Sequence, residues 1–171
     1  MRSALPITNA LTIDVEDYFQ VSAFAPYIKR GEWDAQECRV ERNVDRILAL
    51  LDDGNTKATF FTLGWIAERY PLLVRRIVEG GHELASHGYG HERVTDLSEA
   101  AFFNDIHSAK ALLEDIGGVR VQGYRAPSFS IGSGNLCSVR IIGTALASIP
   151  SNMTTMACQM RLVFPTRSGT V

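Results

Sequence analysis

Four short apolar segments punctuate this chain, and the stretches between them carry helical periodicity. ALTIDV (10–15), KATFFTLG (57–64), HELASH (82–87) and VRVQGYRAP (119–127) read as strands, being brief, rich in β-branched or aromatic residues and bounded by Gly, Pro or charge. After the first, RVERNVDRILALLDDG sets Val40, Val44, Ile47, Leu48 and Leu51 on one helical face and stops at Gly54. WIAERYPLLVRRIVEGG reads as helix in two pieces, because Pro71 suits a first turn and not an interior. Asp96 and Ser98 can cap a long helix striped with Phe102, Ile106, Ala109, Leu113 and Ile116 and closed by Gly117 and Gly118. Strands recurring about every 25 to 45 residues, with helices between, require right-handed crossovers and a parallel sheet. The expected fold class is therefore α/β, with about four parallel strands.

Bulk properties narrow the function. At 171 residues the chain is most simply one domain with a real core. A net charge of −2 gives no electrostatic case for nucleic acid or an anionic membrane surface. Cys38, Cys137 and Cys158 are scattered without a CxxC, so neither a disulfide framework nor a structural zinc knot is indicated. No run reaches the roughly 18 apolar residues of a membrane span, and the broken apolar stretch before Asp14 is a poor signal peptide. A cytoplasmic setting is the expectation.

Chemistry in parallel sheets gathers at the carboxyl ends of strands. Asp14, Glu16 and Asp17 follow the first strand, His87 and His91 the third, and Arg125 the fourth. Each has a plainer reading alone: packing histidines, a solvated loop or helix cap, a surface ion pair. Together they supply two imidazoles and a carboxylate, the usual ligand set of an open catalytic zinc site. His82 and His107, at a strand start and mid-helix, read as structural. Trp33 and Tyr89 can line a sugar site, although packing is the plainer role for both. The spacing of HGYGH (87–91) is helical, yet Gly88 and Gly90 would cost a helix roughly 2 kcal/mol. The histidines therefore belong on a loop or a first turn, where glycine lets backbone pass close to something.

Four motifs now carry a resemblance. LTIDVEDYF, KATFFTLGW, GGHELASHGYGH and GYRAPSFS together resemble the polysaccharide deacetylases of the NodB-homology group, carbohydrate esterase family four, over about residues 10 to 135. They look most similar to the branch associated with exopolysaccharide loci, whose first motif reads DVED and not TFDDG. The resemblance implies a distorted (β/α) barrel and a divalent metal, usually zinc, held by one carboxylate and two histidines. The histidines map onto His87 and His91, and Asp14 onto the general base. Val15 stands where TFDDG has its metal-binding aspartate, so the carboxylate ligand falls to Glu16 or Asp17. Glu16 is preferred, at the i+2 offset of the related DxD variant, and Asp17 stays open. Arg125, in the RxP motif, would pair with Asp14. The implied function is metal-dependent removal of N-acetyl groups from a polysaccharide of N-acetylated amino sugars, in exopolysaccharide biosynthesis or modification. The family's late histidine, which protonates the leaving amine, has no counterpart, because no histidine follows His107.

A (β/α) barrel takes about 250 residues, so the chain reads as a partial barrel over 1–136 with an irregular tail at 137–171. That tail has no Asp, Glu or Lys and holds three of the four methionines. Read one nucleotide earlier, its codons permit YPIKHDHYGMPDAPRFP, similar to what this branch carries after RAPSFS. A frameshifted tail is the expectation. Two rival readings follow: a truncated, inactive fragment, or a metal-dependent carbohydrate-binding module without turnover.

Overall fold

The structure, a computed structural model, describes residues 10–130. Its centre is a parallel sheet of three strands in the order β1 (Thr12–Val15), β2 (Thr59–Thr62), β3 (Glu83–Ser86). Ile13 lies opposite Phe60, and Phe60 opposite Leu84, so the most apolar residues of each strand share a level of the sheet. β2 is the middle strand, with Phe60, Phe61 and Thr62 all enclosed.

Each crossover forms where the periodicity places it. α1 (Val40–Asp53) ends at Gly54 and buries Val40, Val44 and Leu51. The second helical stretch divides into α2 (Gly64–Arg69) and α3 (Pro71–Glu79), with Pro71 in the first turn, where its missing N–H costs nothing. α4 (Glu99–Gly117) buries Phe102, Ile106, Ala109 and Leu113. Its cap is the Ser98 hydroxyl, which accepts from the Ala101 N–H, and it ends on Gly118 in the left-handed conformation, φ 62°. Asp96 closes a short 3-10 turn (Val94–Asp96) ahead of the helix and does not cap it. One core cluster joins Val15, Phe19, Val44, Phe60, Ile66 and Ile77; another joins Ala67, Val74, Leu84, Leu113 and Val121.

The fourth strand does not form as expected. Residues 119–127 meet the sheet through one bridge, Ser86 to Tyr124, in which the Ser86 N–H donates to Gly123 O (2.8 Å) and the Arg125 N–H to Ser86 O (2.9 Å). The reason lies in competing partners. The Val121 N–H donates to Glu114 Oε1 (2.9 Å) and the Val121 carbonyl accepts from Lys110 Nζ (2.9 Å), so side chains of α4 take the groups a strand would offer. Beyond Arg125, Pro127 has no N–H to give. The expected tail at 137–171 lies outside the described residues.

Candidate metal centre

The carboxyl ends of β1 and β3 deliver the candidate residues to one rim. Side chains alternate along a strand, and the alternation runs on past β1. Val15 is fully buried in the core, while Asp14 and Glu16 face the rim. Asp17 turns inward, 6% exposed, where it caps a 3-10 turn (Tyr18–Gln20) by accepting from the Tyr18 N–H (2.8 Å) and the Arg39 N–H. The structure thus brings Glu16 to the histidines and does not bring Asp17.

Glu16, His87 and His91 each offer a ligand atom, and the three atoms lie within 4.8 Å of one another. Glu16 Oε2 stands 2.9 Å from His91 Nε2 and 3.6 Å from His87 Nε2. Despite that proximity, the buried Oε2 has no hydrogen-bond partner among the described residues, and neither has His91 Nδ1. Lone pairs converging without a proton between them are what a cation resolves, so the donor set fits a divalent metal. His87 Nδ1 lies 2.8 Å from the Arg125 carbonyl. A carbonyl can only accept, so Nδ1 carries the proton and Nε2 presents its lone pair to the cluster. Burial pushes the His87 pKa down, against the pull of Asp14 and Glu16, and keeps the ring neutral as a ligand must be.

Arg125 serves the rim twice. Besides its carbonyl on His87, its guanidinium donates to Asp14 Oδ1 and to Thr12 Oγ1 (2.8 Å) and lies 4.0 Å over the Phe61 ring. Nothing in the motifs marks Thr12; the signal for it is its place two residues before Asp14, on the same strand face.

The HGYGH segment is a loop. The carbonyls of Gly88 and Tyr89 accept from the free N–H groups at the start of α2, Gly64 and Trp65, both at 2.9 Å. Gly88 has φ 79°, and a Cβ on it would lie 2.6 Å from Asp105 Oδ2. A Cβ on Gly90 would collide with the Arg30 guanidinium. The glycines therefore admit Asp105 and Arg30 against the loop's outer side, and the close approach is to protein. His91 itself has φ 55°, a left-handed conformation that costs a non-glycine residue about 1–2 kcal/mol. Trp33 is buried edge-on against Trp65 and also lines the groove beside His91, whereas the Tyr89 hydroxyl donates to Glu68 Oε2 (2.8 Å). His82 and His107 pack against the Phe60 and Phe103 rings, away from the rim. Beside His91 opens a groove of about 800 Å³, lined by Phe19, Gln20, Lys29, Arg93 and Leu97.

An α/β chain bearing two imidazoles and a carboxylate at the carboxyl edge of a parallel sheet has the layout of a metallohydrolase. The sequence says which kind: residues 32–139 match the polysaccharide deacetylase family, and the chain belongs to it. It is 35% identical to a peptidoglycan-N-acetylglucosamine deacetylase of Bacillus cereus over 82 residues, 48% of this chain and 30% of that protein. It is 30% identical to chitin deacetylase 2 of Cryptococcus neoformans over 107 residues, 63% of this chain and 21% of that one. The chain thus spans under a third of these relatives. Among solved structures, a mutant of the peptidoglycan deacetylase PdaC from Bacillus subtilis superposes with a TM-score of 0.55 at 25% identity, covering 75% of this chain and 52% of that one. A CE4 family pseudoenzyme from Bacillus anthracis gives a TM-score of 0.61 at 20% identity, covering 77% and 39%, and shares the fold alone. Among the described residues, no helix is long and apolar enough to cross a membrane.

Proposed function

We propose that this chain is the metal-binding part of a zinc-dependent hydrolase that removes N-acetyl groups from a polysaccharide of N-acetylated amino sugars, with Glu16, His87 and His91 as ligands. The observation that carries the reading is the cluster with its unpartnered Glu16 oxygen, set beside the Asp14–Arg125 pair. Because the fold is shared with a pseudoenzyme, the reading rests on the site and not on the fold.

Zinc bound there would polarise the acetamide carbonyl and acidify a water molecule near neutral pH. Asp14 is the base. Its carboxylate sits on the rim, partly exposed, and Arg125 fixes its orientation through a charge-assisted hydrogen bond. Arg125 also locks the His87 tautomer through its carbonyl, so one residue sets the geometry of base and ligand together. The groove beside His91 has room for sugar units flanking the reacting acetamide. An exopolysaccharide is the substrate that the DVED motif favours.

One observation favours a second reading, a metal-dependent carbohydrate-binding module without turnover. Leaving-group protonation calls for an acid, and the two histidines outside the cluster, His82 and His107, pack away from the rim. A single experiment separates the readings: zinc content, oligosaccharide binding and acetate release, measured together on the chain with N-acetylglucosamine oligomers. Stoichiometric zinc with acetate release that Asp14→Asn removes supports the hydrolase. Zinc with binding and no acetate supports the module, and a chain without zinc overturns both.

A further inference from the structure

The loop that carries His91 holds a conformation that its own residues disfavour, and something must hold it there. Gly88 supplies one left-handed position freely, but His91 at φ 55° does not. Between them lies the Tyr89 backbone N–H, which donates to Oδ1 of one side chain, Asp105 of α4 (3.0 Å). The other oxygen, Oδ2, fills the space that the missing Cβ of Gly88 leaves open. Asp105 is half-buried, flanked by Phe102 and Ile106, whose side chains fix that face of α4 in the core. Arg30 and Glu92, paired with each other, are the charged groups nearest to it.

We propose that Asp105 is the positioning residue of the metal centre: its carboxylate holds the Tyr89 amide and seats against the Gly88 turn, and so fixes His91 in the left-handed conformation that aims its imidazole at Glu16. The inference rests on the reading of Glu16, His87 and His91 as the metal site. Asp105 touches neither metal nor substrate. A rigid helix thereby dictates the ligand angle of a residue on a loop, and Gly88 and Gly90 are what let the helix and Arg30 come close enough.

Two variants of nearly equal size separate this role from simple packing. In the full chain, Asp105→Asn keeps an oxygen acceptor for the Tyr89 N–H, and Asp105→Leu keeps none. Zinc affinity is read by competition with a chromophoric chelator, and backbone hydrogen exchange at residues 88–92 is read in metal-free protein. The expected result is a loss of about 10–100-fold in zinc affinity for Asp105→Leu, substantial rescue in Asp105→Asn, and faster exchange at Tyr89 in Asp105→Leu. Equal zinc affinity in Asp105→Leu and wild type overturns the proposal. Should Asp105→Leu fail to fold, unchanged exchange at Tyr89 in folded Asp105→Ala overturns it as well. If wild type itself takes up no zinc, the metal reading fails, while the exchange data still decide whether Asp105 anchors the loop.

Discussion

Val15 is followed by two acids with different fates, a candidate metal ligand and a structural cap. One is larger by a methylene, and the pleat sends them to opposite sides of the sheet edge. Glu16 reaches the imidazoles, and Asp17 is spent on capping the next turn and holding the Arg39 N–H. Replacement should therefore separate them cleanly. His87→Ala, His91→Ala and Glu16→Ala are expected to lose zinc by more than the roughly 10–100-fold typical of removing a ligand's hydrogen-bond partner. Asp17→Ala should keep its zinc and lose about 1–2 kcal/mol of stability, the range of a lost cap. Zinc content by atomic absorption and urea unfolding of the same samples check both halves. The strand alternation that decides the matter was present in DVED all along, since Asp14 and Glu16 share a parity and Asp17 does not. What the sequence could not show was Asp105, because a lone acid beside an apolar helical stripe gains its meaning only when the HGYGH loop folds onto it.

At the scale of elements, the helices were legible because their stops and caps are local chemistry. Gly54, Pro71, Ser98 and Gly118 each act within one turn, Pro71 and Ser98 where a helix starts and Gly54 and Gly118 where one stops. The segment at 119–127 departs from its strand pattern for the opposite reason. Val119, Val121 and Tyr124 look like strand residues, but the backbone groups of Val121 are taken by Lys110 and Glu114 on a neighbouring helix, and no local pattern records that choice. Two expectations belong here. Gly118→Ala faces open space, so its cost is conformational alone, about 1 kcal/mol, whereas Leu113→Ala should cost about 2–5 kcal/mol by opening the core. Chemical denaturation reads the difference. The second concerns His82, whose Nδ1 accepts the Ala58 N–H (3.3 Å) at the start of β2 and whose pKa is lowered, first by burial and then by Lys57. A base whose folded pKa lies below its unfolded value binds fewer protons when folded, so its contribution is complete above about pH 6.5 and is lost as pH falls below that value. Wild type should lose stability between about pH 6.5 and 5, and His82→Gln should lose less over the same interval in melts run across that range.

Taken as a whole molecule, the described chain is closed by contacts between its far ends. Arg125 reaches Thr12 and Asp14, and the Ser22 and Ser128 hydroxyls meet at 2.6 Å. The candidate ligands obey the same geometry, one from the exit of β1 and two from the exit of β3, with β2 between. An ion held by all three is a dissociable crosslink across the sheet. The unfolded chain cannot offer the ligands together, so each increment of free metal shifts the folding equilibrium, by about 2.7 kcal/mol at a hundredfold excess over Kd. The melting temperature of wild type should climb with added zinc and fall with a chelator, while His91→Ala stays flat. Metal supply would then govern how long the protein survives proteolysis as well as whether its site is filled.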